Sequence, residues 1–156
     1  MFLAVYPEME IELAGGKRRV DIAKDGSNFG IRVCEFVASD MVAVPASPPQ
    51  QHIVVALPEY LVRTAPISSP GDLVHYSCVQ PCMPGSNLYR WEFARNGEAI
   101  RIETAGRLVL TNSRLILSAV QAGTVTGYVN RWAVRRALAE QRVVQLLPNG
   151  RRPTQD

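Results

Sequence analysis

Hydrophobic and polar positions change period several times along this chain, and each change marks an element. Residues 106–130, GRLVLTNSRLILSAVQAGTVTGYVN, show it most completely. Leu108, Val109 and Leu110 form a compact apolar run of the kind a buried strand has. Thr111, Asn112 and Ser113 follow, and their side-chain oxygens can accept the free N–H groups of a helix start. Leu115, Ile116, Ala119, Val120 and Gln121 continue at helical spacing up to Gly123, a suitable helix stop. Residues 125–129 then predict a second strand. Open α/β sheets hold small ligands where helix N-termini lie beside strand ends, because free N–H groups and the helix dipole face outward there. This corner is the first candidate for one wall of a ligand pocket.

The rest of the chain alternates in the same way. Residues 1–6 are apolar, read as the tail of a helix, and stop at Pro7. Met9, Ile11 and Leu13 alternate with Glu8, Glu10 and Glu12, which predicts a strand with one wet face. Gly15-Gly16 predicts a turn, residues 20–24 a short helix ended by Asp25-Gly26, and residues 29–33 and 41–44 short strands. After the Ser47-Pro48-Pro49 break, residues 52–56 are apolar enough to be buried on both faces. Pro58 opens a helix through residues 59–62, residues 69–73 form a helical turn, and Cys78-Val79 sits in a strand. Residues 91–95 and 99–103 flank Asn96-Gly97, which supplies the positive φ angles of a tight hairpin turn. Residues 131–141 predict an amphipathic helix with Val134, Ala137 and Leu138 on its apolar side, and residues 143–147 a last strand. Residues 148–156 are polar, and there is no internal repeat. Short strands alternating with short helices argue for an α/β fold.

Composition narrows the function classes. A 156-residue chain with 47% hydrophobic and 20% charged residues can bury one core or two small lobes. A net charge of +3 is too mild for a nucleic-acid footprint unless it clusters. Arg131, Arg135, Arg136 and Arg142 do group together, as a solvated helix face, and no direct DNA binding is expected from them. No run approaches the ~18 apolar residues that span a bilayer, and no basic lead-in marks a secretory signal. Three cysteines are too few for a disulfide framework, so a cytoplasmic chain with reduced thiols is expected. His75, Cys78 and Cys82 gather locally, but a closed zinc site needs four ligands, and no metal is expected. No nucleophile elbow, phosphate-cradling glycine loop or paired-carboxylate constellation is present, so neither enzymatic activity nor a cofactor is expected.

Three passages together resemble the effector-binding domain of LysR-type transcriptional regulators. The first is Phe2-Leu3, Tyr6-Pro7-Glu8, Glu12-Leu13, Val20-Asp21-Ile22, Gly26 and Phe29-Gly30-Ile31-Arg32. The second runs through Asp40-Met41-Val42-Ala43-Val44, Pro48-Pro49-Gln50, Val54-Val55-Ala56, Pro58, Tyr60-Leu61, Pro66, Pro70, Asp72-Leu73, His75 and Cys78. The third is Trp91, Phe93, Gly97, Gly106, Leu108, Asn112, Ala122-Gly123, Val134, Leu138, Val143-Val144 and Leu146-Leu147. The resemblance covers nearly the whole chain.

It implies a two-lobed α/β fold of the type 2 periplasmic-binding-protein kind, with a small organic effector, such as a carboxylate, held between the lobes. Lobe I would comprise residues 1–53 and 141–156, and lobe II residues 54–140. The family's winged helix-turn-helix has no counterpart here, and lobe I would be incomplete at both ends, so the chain reads as an internal piece of a longer protein. DNA would be reached only through that absent module, and a homodimer and no membrane contact are implied. The implied ligand-binding residues are Arg32 and Cys34 in lobe I, Gln80, Thr111, Asn112 and Ser113 in lobe II, and Tyr128 and Asn130 near the hinge. Arg32 would pair with a carboxylate, while Asn112 and Ser113 would offer hydrogen-bonding groups at a helix N-terminus. The competing reading is an association module that only oligomerises, through residues 9–13 and 115–121. Two departures from the family pattern stand out. Its usual Gly-Leu-Gly-Ile-Ala strand is here Gly123-Thr124-Val125-Thr126-Gly127, and Gln141 stands where a turn glycine is common.

Overall fold

The computed structural model describes residues 2–13, 26–31, 41–82, 88–95 and 98–148. The chain divides into two compact units, Met1–Val44 and Pro45–Asp156. In the first, the opening apolar residues form the short helix α1 (Phe2–Val5), closed by the Tyr6 N–H donating to the Phe2 carbonyl at 3.1 Å.

The strands expected over residues 9–13, 29–33 and 41–44 are not found: residues 9–13, 29–31 and 41–44 carry no strand. An alternating sequence becomes a strand only when a neighbour takes up its backbone N–H and C=O groups. Among the described residues these stretches have no ladder partner, and the side chains meant to point inward are exposed, Leu13 at 87% and Val42 at 93%. The Gly15-Gly16 turn, the helix over 20–24 and Val33 lie outside the described residues, as does the Asn96-Gly97 turn.

The second unit carries the sheet. Its strands are β1 (His52–Ala56), β2 (Val79–Pro81), β3 (Trp91–Arg95), β4 (Glu98–Ile102), β5 (Leu108–Leu110), β6 (Gly127–Asn130) and β7 (Val144–Leu146). Strand β1 lies between β6 and β7, antiparallel to both, with His52 opposite Asn130 and Val54 opposite Tyr128 and Leu146. Strands β2 and β5 pair in parallel, Gln80 opposite Val109. A parallel bridge between Cys78 and Thr126 joins the two groups, so the order is β5-β2-β6-β1-β7. The Thr126 N–H donates to the Ser77 carbonyl and the Val79 N–H to the Thr126 carbonyl, both at 2.9 Å. Within this order every strand except β1 runs the same way, and β3 and β4 form a separate antiparallel pair. The domain boundaries implied by resemblance fall within this unit, the first inside β1 and the second ahead of β7.

Alternation along the strands divides the core in two. Ile53, Val55, Val79 and Val129 face the helices α3 (Ser113–Gln121) and α4 (Arg131–Ala139), packing on Ile116, Val120, Val134 and Ala137. Val54, Cys78 and Tyr128 face the other way, onto Trp91 and Phe93 of the β3–β4 hairpin. Leu73 and Tyr76 join them from a 3-10 turn over Pro70–His75. A helix α2 (Pro58–Val62) follows β1, with its proline in the first turn as expected. Both faces are covered, which explains why residues 52–56 read as one continuous apolar run.

Two glycines are placed by close approach. A Cβ on Gly127 would lie 2.7 Å from Ile116 Cγ2 and from Val120 Cγ2, so α3 sits directly on β6 there. A Cβ on Gly106 would lie 1.7 Å from the Cys78 carbonyl oxygen. The Gly123–Gly127 departure resolves into two roles. Gly123, at φ +81°, ends α3, and the fully buried Thr126 contacts the Cys78 sulfur with its Oγ1 at 3.1 Å.

Candidate functional site

The parallel strands deliver Pro81, Leu110 and Asn130 to one edge of the sheet, and both large helices begin there. After Leu110 the chain stays extended through Asn112, at φ −140° and ψ 128°, which lets its Oδ1 accept the Arg114 N–H at 2.8 Å. Its carbonyl accepts the Ile116 N–H at 3.0 Å. Asn130 repeats the arrangement at α4, its Oδ1 accepting from Trp132 N–H at 2.9 Å. Its Nδ2 donates to Gln50 Oε1 at 3.0 Å, so the 45–51 segment fixes the amide's orientation. The Arg131 N–H in turn donates to the Gln51 carbonyl at 2.8 Å. A helix start carries more N–H groups than one cap satisfies, and neither helix has an acidic residue in its first turn. The edge is therefore an electropositive rim of amide groups, suited to an anionic or hydrogen-bond-accepting small molecule. Thr111 and Asn112 are exposed and Ser113 is half-buried at this rim.

Gln80 and Tyr128 occupy a different place. Both lie on the hairpin face of the sheet and are buried, at 7% and 4% exposure. Gln80 Nε2 donates to the Thr104 carbonyl, and Tyr128 Oη donates to the Glu92 carbonyl at 2.8 Å. These bonds tie the sheet to the hairpin and to the segment that follows it. Tyr128 is the centre of an aromatic layer: His52, Tyr89 and Trp91 stack on it at centroid distances of 5.2, 6.2 and 5.3 Å, and Phe93 tilts against it at 6.0 Å. Sequence reasoning did not single out this layer, although the period-two spacing of Tyr89, Trp91 and Phe93 carries its signal. Arg32 and Cys34 lie outside the described residues. The structure thus gathers Thr111, Asn112, Ser113 and Asn130 at the edge and places Gln80 and Tyr128 behind it.

Among the described residues no group of three or more His, Cys, Asp or Glu side chains is arranged to hold an ion. Cys78 is fully buried, and burial pushes its thiol above the usual range, so it behaves as a packed, protonated group. No helix among the described residues is long and apolar enough to cross a membrane.

Comparison with known proteins places this geometry. The family model described as "LysR substrate binding domain" matches residues 1–155. A putative transcriptional regulator of Pseudomonas aeruginosa is 30% identical over 148 residues, covering 94% of this chain and 48% of the relative. The uncharacterized HTH-type transcriptional regulator YcaN of Escherichia coli is 33% identical over 128 residues, covering 82% and 41%. The chain thus spans about half the length of the curated relatives it matches. Among solved structures, the regulatory domain of CrgA, a LysR-type transcriptional regulator from Neisseria meningitidis, superimposes with a TM-score of 0.81 at 19% identity, covering 97% of this chain and 73% of that one. At that identity the likeness concerns the fold, which is two-lobed and periplasmic-binding-protein-like. On the family match across 1–155, the chain belongs to the LysR substrate-binding domain family.

Proposed function

We propose that this chain is the small-molecule sensing and dimerisation part of a transcription regulator that reaches DNA through a separate helix-turn-helix, and that it is not an enzyme. The observation that carries the reading is the pairing of two asparagine-capped helix starts, at Asn112 and Asn130, on one edge of a largely parallel sheet. Thr111, Asn112, Ser113 and Asn130 read the effector directly. Gln80 and Tyr128 hold the wall behind them in shape, and Arg32 and Cys34 complete the set by family resemblance. The effector class is a small organic carboxylate, with Arg32 as its charge partner. Lobe I comprises residues 1–53 and 141–156, lobe II residues 54–140, and the protein works in the cytoplasm as a homodimer. Effector binding shifts the population of lobe arrangements and so the geometry of the dimer.

Thermal shift against a panel of aromatic and aliphatic carboxylates tests the sensing claim. A ligand that binds only the folded state raises Tm by mass action, by about 2.7 kcal/mol of stability at a hundredfold excess over Kd. Ser113→Ala together with Thr111→Val should remove most of that gain. No shift with any carboxylate would sink the sensor reading.

One observation favours the second reading, an association module without an effector. Phe29, Ile31, Val42 and Val44, all at least 80% exposed, leave the first unit with much apolar surface. Sedimentation velocity across a hundredfold concentration range separates the two readings. An association module dimerises with no response to any ligand, whereas a sensor changes its dimer constant when a carboxylate binds.

A further inference from the structure

At the sheet edge opposite the asparagine caps, where β1 ends and α3 and α4 finish, the second unit holds a solvent-open cavity of about 350 Å³. Leu57 and Pro58 give it an apolar wall; Glu59, Gln121, Gln141 and Arg142 supply the polar groups. From this lining we propose a second binding site, for a small zwitterion of amino-acid size, separate from the effector edge.

Three features argue for it. Glu59 offers an acceptor to an ammonium group and the remaining Nη1 of Arg142 a donor to a carboxylate, so a zwitterion meets both where a ligand of single charge meets one. Arg142 is also pre-oriented. Glu140 takes its Nε and Nη2, each at 2.7 Å, and is itself held by Arg136 Nε at 2.7 Å, which leaves Nη1 of the fork available to a carboxylate. Finally, Gln141 holds a left-handed backbone, φ +53°, at the position after α4 where glycine is usual. Gln141 lines the cavity despite that conformational cost, as strained residues at binding sites do. Gln121, from the last turn of α3, lines it as well. The volume lies at the small end of the range for ligand pockets and fits a single amino acid.

Calorimetric titration of the 156-residue chain with L-leucine and L-glutamine, with isoamylamine and isocaproate as the matched single-charge probes, tests the proposal. At least one amino acid should bind, and either single-charge probe should be at least tenfold weaker in displacing it. Glu59→Gln and Arg142→Gln should each cost tenfold or more, and Arg142→Lys, which keeps the charge and loses the fork, a smaller factor. Asn112→Ala, at the opposite edge, should leave amino-acid binding unchanged, so failure here is distinguishable from failure of the effector edge. Absence of binding by both amino acids, displacement of the bound amino acid by a single-charge probe at equal concentration, or unchanged affinity in both Glu59→Gln and Arg142→Gln with circular dichroism intact would overturn it.

Discussion

Tyr128 shows how one side chain can be both a predicted contact and a structural pin. Its ring is enclosed by His52, Tyr89, Trp91 and Phe93, and its hydroxyl is the polar link from β6 to the hairpin carbonyl of Glu92. Tyr128→Phe should cost about 1 kcal/mol, the net worth of one hydrogen bond, whereas Tyr128→Ala should cost about 3–5 kcal/mol. Urea denaturation read by tryptophan fluorescence distinguishes the two. At the same scale, Asp72 accepts the Ser68 and Ser69 N–H groups at 2.8 Å, and these bonds hold its carboxyl below the usual carboxylate range. A depressed folded-state pKa contributes stability that is present above the unfolded value of 3.8 and is lost as pH falls through the folded value. Asp72→Asn should therefore flatten the acid limb of the stability curve below about pH 4. Melting curves between pH 2.5 and 7 read that slope. Sequence alone identified the turn containing Asp72, because Ser69-Pro70-Gly71-Asp72 is local chemistry. It did not reveal the enclosure of Tyr128, which depends on partners 35 to 76 positions away in the chain.

Among elements, the β5–α3–β6 passage was the most legible, because each of its signals acts within a few residues. The apolar triplet became β5, though as an exposed edge strand and not the buried one its run suggested, Asn112 became the cap, and Gly123 became the stop. The following strand starts two residues later than its apolar run, since Thr126 is taken up in the bridge to Cys78. The stretches over 9–13, 29–31 and 41–44 failed as strands for a reason periodicity cannot register: alternation says which face would be dry, not whether a neighbouring strand exists. Two substitutions test the element-level account. Gly127→Ala pushes a methyl into Ile116 and Val120 and should destabilise by about 1–3 kcal/mol, because α3 can retreat only by losing its own packing. Gly106→Ala meets backbone instead, the Cys78 carbonyl, and should be worse than Gly127→Ala. Chemical denaturation of the two variants side by side checks the order. Asn112→Ala should cost about 1 kcal/mol through the lost cap, while Asn112→Asp, which still accepts from Arg114, should stay within a few tenths of the parent.

For the whole molecule, the second unit is a covered α/β sheet with two ends of different character. One end gathers helix starts, asparagine amides and hydroxyls; the other gathers helix ends, a carboxylate and a guanidinium held by Glu140. The fold class was legible because the family pattern runs through 1–155. The functional edge was legible only in part: its polar residues were nameable from the sequence, but the separation of Thr111, Asn112, Ser113 and Asn130 from the buried Gln80 and Tyr128 required the strand order. The central claim is that a carboxylate is read at the first of these ends, and amide chemical-shift mapping during titration with the best ligand from the carboxylate panel tests it most directly. The account predicts saturable shifts concentrated at residues 111–114 and 130–132, with residues 57–59 and 141–142 unmoved. Shifts centred elsewhere in the chain, with 111–114 and 130–132 unchanged at saturation, would contradict it.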